Sequence, residues 1–168
     1  MKAQCISEGI YCLHADINTE DLFEGIWPIP KGVSLNSYIV QGKKTALIDL
    51  VRDWANAPHQ FEDCLASIGL SFSQIDYLVL NHLEPDHTGW LREFRQQNPG
   101  VQIFATQKGC NLLKSFYKIE DGLNPVKDGD TLDLGGRVLT FFETPNIHWP
   151  ETMMSWEADS GVLFSCDA

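Results

Sequence analysis

The chain has 168 residues, the size of one ordinary domain, and 43% of them are hydrophobic, which excludes a disordered or fibrous protein. Twelve Lys and Arg against 23 Asp and Glu give a formal net charge of −11, so we expect no binding to nucleic acid or to an anionic membrane surface. There is no apolar run of roughly 20 residues, no signal-peptide core and no C-x-x-C pair among the five cysteines, so we expect a cytoplasmic protein with reduced thiols.

The first third of the sequence is typical of strands. Residues 6–17 mix apolar and polar side chains, and residues 36–40 and 45–51 flank Gln41-Gly42-Lys43, which predicts a hairpin with a glycine-containing turn. Apolar side chains in residues 53–70 recur at helical spacings, and Gly69 stands near the end. This segment therefore predicts an amphipathic helix.

The rest of the chain alternates strands and helices before it ends in further strands. Strands are predicted over residues 75–80, 101–106, 137–144 and 161–165, and helices over 88–97 and 108–117. Asp128-Gly129 and Gly135-Gly136 are turn signals that predict a further strand between them. The predicted order is β-β-β-α-β-α-β-α-β-β-β. It indicates a mixed α/β fold with antiparallel hairpins at both ends.

One short segment concentrates groups that bind metals. It follows the predicted strand 75–80 and contains His82, Glu84, Asp86 and His87. An extended backbone would point the first three the same way, since they are two residues apart, whereas His87 joins them only if the chain turns. Imidazole and carboxylate groups this close crowd or repel one another unless a cation lies among them. The alternative is a polar, solvated loop.

Two further residues extend this pattern. His148 follows a predicted strand, and Asp167 lies at the tip of the last one. Each alone would be unremarkable. Glu84 favours iron over zinc, because zinc prefers nitrogen and sulfur ligands whereas added carboxylates shift a site towards harder, redox-active metals.

Together these motifs resemble the metallo-β-lactamase-like domain of flavodiiron proteins, and the resemblance covers essentially the whole chain. It lies in His82-x-Glu84-x-Asp86-His87-x-Gly89, His148-Trp149-Pro150 and Phe164-Ser165-Cys166-Asp167-Ala168, supported by Pro28-x-Pro30-Lys31-Gly32, Asn36-Ser37-Tyr38 and Ala46-Leu47-Ile48-Asp49. The resemblance implies an αββα sandwich. Residues 1–168 would form mainly its first half, a domain incomplete at the carboxyl end and without a flavodoxin domain.

The resemblance also implies a set of metal ligands. His82, Glu84 and His148 would hold one iron and Asp86 a second, with Asp167 bridging the two. His87 is a ligand in some members of the family and is displaced by water in others. Zinc hydrolases of the same superfamily carry His where this chain has Glu84. Phe23, Trp27 and Trp149 are candidates for an apolar wall, although core packing would explain these aromatics equally well.

The activity implied is reduction of dioxygen to water or of nitric oxide to nitrous oxide at two non-haem irons. The electrons would come from FMN on a missing or partner domain, supplied by a flavodoxin-like or rubredoxin-like donor. The family's last histidine ligand lies beyond Asp167, and most of the second half of the sandwich is absent from this sequence. We therefore expect the inner face of the first sheet to be exposed, and a second copy or a completing segment to pair with it.

Three other interpretations remain open from the sequence. The first is an oxygen-binding diiron sensor or carrier that does not turn over, which the lack of a flavin domain favours. The second is an inactive fragment, because of the missing histidine. The third is a zinc hydrolase, which Glu84 disfavours.

Overall fold

The computed structural model describes residues 1–168, which form two β-sheets packed face to face with helices on the outer side of the larger sheet. The larger sheet has seven strands in chain order: β1 (Gln4–Ser7), β2 (Ile10–Ile17), β3 (Val33–Gln41), β4 (Thr45–Ile48), β5 (Tyr77–Val79), β6 (Gln102–Thr106) and β7 (Leu123–Val126). The smaller sheet contains β8 (Thr131–Asp133), β9 (Val138–Glu143), β10 (Met153–Glu157) and β11 (Val162–Phe164), in the order β11-β10-β9-β8.

The larger sheet changes from antiparallel to parallel at β4. Strands β1 to β4 pair antiparallel, and the predicted hairpin is confirmed by the register Gln41↔Thr45 and Tyr38↔Ile48. Strands β4 to β7 pair parallel, because each is joined to the next by a helical crossover. The carboxyl ends of β4, β5 and β6 therefore lie at one edge, where α/β sheets place their ligands.

Two of the three predicted helices are shorter than the sequence predicts. Helix α1 (Ala57–Ser67) begins later than residue 53, because Ala55 and Asn56 have positive φ, and Pro58 lies in its first turn. The helix predicted over 88–97 begins only at Leu91, as α3 (Leu91–Gln97), and a separate helical turn, α2 (Pro85–Thr88), precedes it. Helix α4 (Gln107–Leu112) continues as the π-helical turn Leu113–Tyr117. No helix has the length and apolar character needed to cross a bilayer.

Strand β10 lies in the centre of the smaller sheet, yet the sequence pattern does not predict it. Its buried positions are Met153, Ser155 and Glu157, and two of these three are polar. The alternation of apolar and polar residues that identifies a half-buried strand is therefore missing. The strand forms because it pairs antiparallel with β9 on one side and β11 on the other.

Two apolar clusters form the core. The first lies between the larger sheet and the helices and includes Phe61 and Phe94. The second lies between the two sheets, where Ile48 of β4 packs in the same cluster as Phe141 and Phe164 of the smaller sheet. The expectation that the inner face of the first sheet would be exposed is wrong, because the smaller sheet covers it.

One patch of exposed apolar side chains lies on the outer face of the smaller sheet. Residues whose side chains alternate with the buried ones on β9 and β11 face away from the core. Three of them are large and exposed: Val138, Phe142 and Leu163.

Candidate metal centre

Loops at the carboxyl ends of the strands bring the six predicted ligands to the edge of the sandwich. His82 follows β5, His148 lies between β9 and β10, and Asp167 follows β11. Five of the six side chains line one open cavity between the two sheets, together with Phe23, Tyr38 and residues of β3 and β11. The sixth, His82, is fully buried behind it. Ligands from three distant parts of the sequence thus meet in one place.

Four of the ligands form a first donor group. Glu84 Oε2 lies 3.1 Å from His82 Nε2 and 3.2 Å from His148 Nε2. Asp167 Oδ2 lies 3.7 Å from the same nitrogen of His148. One potential ligand atom from each of these four side chains lies within 4.8 Å of the other three.

Asp86, His87 and Asp167 form a second donor group. His87 Nε2 lies 3.0 Å from Asp167 Oδ1 and 3.7 Å from Asp86 Oδ2. Asp167 is thus common to both groups, and its two oxygens face different partners. A carboxylate placed in this way can bridge two cations.

The turn that presents the ligands differs from the extended geometry that the sequence suggested. Glu84 is extended, but Pro85 begins the helical turn α2, so Asp86 does not share a side of the chain with His82 and Glu84. The expectation of one common direction for those three side chains is wrong. The turn also brings the side chain of His87 to the same side as that of Asp86, so that Nε2 lies 3.7 Å from Oδ2.

Hydrogen bonds and close packing hold this turn in place. The hydroxyl of Thr88 lies 3.1 Å from the carbonyl oxygen of Leu83 and 2.8 Å from the hydroxyl of Tyr117. A Cβ at Gly89 would lie 2.7 Å from the carbonyl oxygen of Pro85 and 3.1 Å from Cγ of Arg52, so only glycine fits there without a shift.

Two buried carboxylates behind the histidines were not predicted as site residues. Glu151 Oε1 accepts a hydrogen bond from His82 Nδ1 at 3.0 Å, and Asp49 Oδ2 lies 3.5 Å from His87 Nδ1. Asp49 was noted only within the motif Ala46–Asp49. Glu151 directly follows His148-Trp149-Pro150, and its position beside a ligand motif is the one signal the sequence offered.

The pKa values are those of a cluster in which carboxylates outnumber positively charged groups. Burial alone would lower the pKa of His87, but hydrogen bonds to Asp167 and Asp49 outweigh it and raise that pKa to about 11. The hydrogen bond from His87 holds the pKa of Asp167 below its usual range. Burial raises the pKa of Asp86, and the charges of Asp167 and Glu84 add to the rise. A cation between the carboxylates would supply the charge that the imidazolium supplies here.

The donor chemistry fits iron. His82, His148 and Glu84 form a set of two histidines and one carboxylate, which is typical of non-haem iron sites. The second group is richer in oxygen, and Asp86 Oδ1 is buried without a hydrogen-bond partner. Burial of an oxygen without a hydrogen-bond partner destabilises the folded state unless a donor or a cation contacts that oxygen.

The predicted aromatic wall is present only in part. Phe23 lines the cavity, and the ring of Trp149 meets that of His82 edge-on with 5.2 Å between centroids. Trp27 is not among the lining residues, and 61% of its surface is exposed.

Comparison with known proteins identifies the fold. A family model described as ODP family beta lactamase matches residues 33–168. The solved structure of rubredoxin oxygen:oxidoreductase from Desulfovibrio gigas has a TM-score of 0.87 and 36% identity, and the match covers 96% of this chain and 40% of that one. A variant of the flavo di-iron protein from Thermotoga maritima has a TM-score of 0.85 at 36% identity, with 98% of this chain and 42% of that one covered.

Curated relatives agree with the structural comparison. The anaerobic nitric oxide reductase flavorubredoxin of Aliivibrio fischeri is 37% identical over 155 residues, which are 91% of this chain and 31% of that protein. The rubredoxin-oxygen oxidoreductase of Megalodesulfovibrio gigas is 38% identical over 169 residues, covering 99% of this chain and 41% of that protein. The chain thus spans less than half the length of these relatives. It belongs to the ODP family of β-lactamase-like domains, and the predicted resemblance to flavodiiron proteins is confirmed.

Proposed function

We propose that this chain carries the diiron centre of an oxidoreductase that reduces dioxygen or nitric oxide. The observation that carries the proposal is the position of Asp167, which belongs to both donor groups and offers each a separate oxygen. His82, Glu84 and His148 would hold one iron, Asp86 and His87 the other. When bound, two adjacent irons supply electrons to a small diatomic ligand at open coordination positions.

The side chains of this protein would orient the metals and shape the space above them. Asp49 lies behind His87 and orients its ring, with Nε2 directed towards Asp167. Phe23 adds apolar surface to the cavity and excludes water from part of it. Both gases are small and apolar, so the cavity itself does not distinguish between them.

The electron supply is part of the same proposal. The names of the relatives, flavorubredoxin and rubredoxin-oxygen oxidoreductase, support a rubredoxin-type or flavodoxin-type donor. FMN would lie on another domain, since the site described here is made of imidazoles and carboxylates. A completing segment or a second copy of the chain would supply the remaining histidine ligand. The five free cysteines support a cytoplasmic location.

The experiment is an anaerobic titration of the 168-residue chain with Fe²⁺, followed by oxygen or nitric oxide in the presence of a reduced flavodoxin-type or rubredoxin-type donor. We expect two irons per chain and consumption of one or both gases. Iron binding without consumption would support the sensor or carrier. Preferential binding of zinc together with ester cleavage would contradict the proposal in favour of a hydrolase, and absence of any metal would indicate an inactive fragment.

A further inference from the structure

Glu151 is a buried carboxylate directly behind His82. Its side chain is fully buried, and so is that of His82. Oε1 accepts hydrogen bonds from His82 Nδ1 at 3.0 Å and from the backbone N–H of Leu83 at 3.2 Å. Oε2 is buried and has no hydrogen-bond partner. The backbone of Glu151 is fixed as well, since its carbonyl accepts a hydrogen bond from the hydroxyl of Thr106.

A comparison within the molecule shows that the charge of Glu151 depends on a single charged partner. Glu157 is equally buried, but its carboxylate meets the guanidinium of Arg137 and the backbone N–H groups of Asp159 and Ser160. Glu151 forms an ion pair only with His82. Burial of a carboxylate costs several kcal/mol unless opposite charge and hydrogen bonds offset it. The positive charge that would offset the carboxylate of Glu151 therefore lies on His82 or on a cation that His82 contacts.

We propose that Glu151 is a positioning residue that holds the ring of His82 with Nε2 directed into the first donor group. Its carboxylate accepts the Nδ1–H, which leaves Nε2 to face Glu84 at 3.1 Å. The ring of Trp149, edge-on to that of His82, limits its rotation. This inference rests on the proposed metal centre and adds a residue that acts on it through His82.

The role predicts a graded effect of substitution. A carboxylate that accepts the outer N–H of a metal-binding imidazole fixes its orientation and increases its basicity, and loss of such a partner typically weakens metal binding by roughly 10–100-fold. Glu151→Gln keeps an acceptor oxygen but removes the charge, so it retains orientation and loses basicity. Glu151→Leu removes both. We therefore expect the loss of affinity to be larger for leucine than for glutamine.

The first measurement is anaerobic Fe²⁺ titration of the 168-residue chain and its variants. We expect Glu151→Leu to weaken one of the two ions by roughly 10–100-fold, Glu151→Gln to weaken the same ion by less, and the other ion to be unchanged. Glu157→Gln is the matched control, because it neutralises an equally buried glutamate that does not contact a ligand. Unchanged affinity in Glu151→Leu, or an equal loss in Glu157→Gln, would overturn the proposal.

The second measurement does not depend on metal. In the metal-free, ¹⁵N-histidine-labelled chain, we expect a slowly exchanging Nδ1–H resonance of His82, shifted in Glu151→Gln and lost in Glu151→Leu. An unprotonated Nδ1 in the unsubstituted chain would overturn the inference. If that chain binds no iron, the proposed function fails while the ring resonance still decides the role of Glu151. If the leucine variant does not fold, the glutamine variant provides the same comparison.

Discussion

Asp167 differs from the other acidic residues of the site because its two oxygens face two donor groups. His87 lies 3.0 Å from Oδ1 and His148 lies 3.7 Å from Oδ2. The residue follows β11 at the end of the smaller sheet, whereas His87 lies on the turn after β5. One side chain thus links the two halves of the site.

We predict that Asp167→Asn weakens binding of both ions. The amide has one oxygen and no charge, so it cannot bridge two ions. We therefore expect the affinity for each ion to fall by more than the roughly 100-fold that removal of an outer partner can cause. Anaerobic Fe²⁺ titration measures it, with the exposed Asp159→Asn as control. Retention of two tightly bound ions by Asp167→Asn would show that the carboxylate does not bridge.

At the scale of elements, the site depends on the sharp change from extended to helical backbone between β5 and α2. The sequence predicted a strand over residues 75–80 and a helix from residue 88, whereas in the structure Pro85 already begins the helical turn α2. What the sequence did not show is the tight contact at Gly89, because that contact joins the turn to Arg52 in a loop far away in the sequence.

We predict that Gly89→Ala displaces the turn. The added Cβ would meet the Pro85 carbonyl oxygen and Arg52, and relief of such overpacking typically costs about 1–3 kcal/mol. Urea unfolding measures the change in the free energy of unfolding, and iron titration should show weaker binding as well. Gly100→Ala is the matched control, since nothing lies within 4 Å of its Cβ position. Equal stability of the two variants would contradict this account.

At the scale of the whole molecule, Arg137 links the two sheets. Its guanidinium donates to the carbonyl oxygens of Glu8 and Gln41 at the β1–β2 and β3–β4 turns. It also forms an ion pair with the buried Glu157 of the smaller sheet at 3.1 Å. This edge of the sandwich lies apart from the metal-binding cluster, so its stability can be tested separately.

We predict that Glu157→Gln destabilises the fold by about 1–3 kcal/mol at pH 7, because a buried ionic hydrogen-bond network loses its charge. Burial alone would raise the pKa of Glu157, but bonds from Ser160 and Asp159 and the charge of Arg137 outweigh it and lower the pKa. The stabilisation is therefore full above the unfolded-state pKa of roughly 4.3 and is lost as the pH falls through the lower, folded-state value.

Urea unfolding of the unsubstituted chain and of Glu157→Gln at pH 7 and at about pH 3 measures this difference. We expect the difference in the free energy of unfolding between the two proteins to be smaller at the lower pH. The exposed Glu143→Gln should stay within about 0.5 kcal/mol of the unsubstituted chain at both pH values. If the difference in the free energy of unfolding does not depend on pH, the charge of Glu157 does not contribute to stability.

The outer face of the smaller sheet bears on the expectation of self-association, which stays a prediction. Val138, Phe142 and Leu163 are exposed there, and an apolar sheet face open to water favours association. Sedimentation of the 168-residue chain should show species larger than a monomer, and Phe142→Glu should shift them towards the monomer. A well-folded monomer at all concentrations would contradict the expectation.

The sequence by itself determined the donor atoms, because histidine and carboxylate side chains, and a proline between two of them, are local properties that spacing reveals. Only the tertiary structure decided how they are grouped. His82 meets Glu151 across 69 residues, and His87 meets Asp167 across 80. Such distances are set by the packing of one sheet on the other. For the same reason β10, whose buried face is largely polar, and Glu151, which lies on no predicted element, became apparent only in the folded chain.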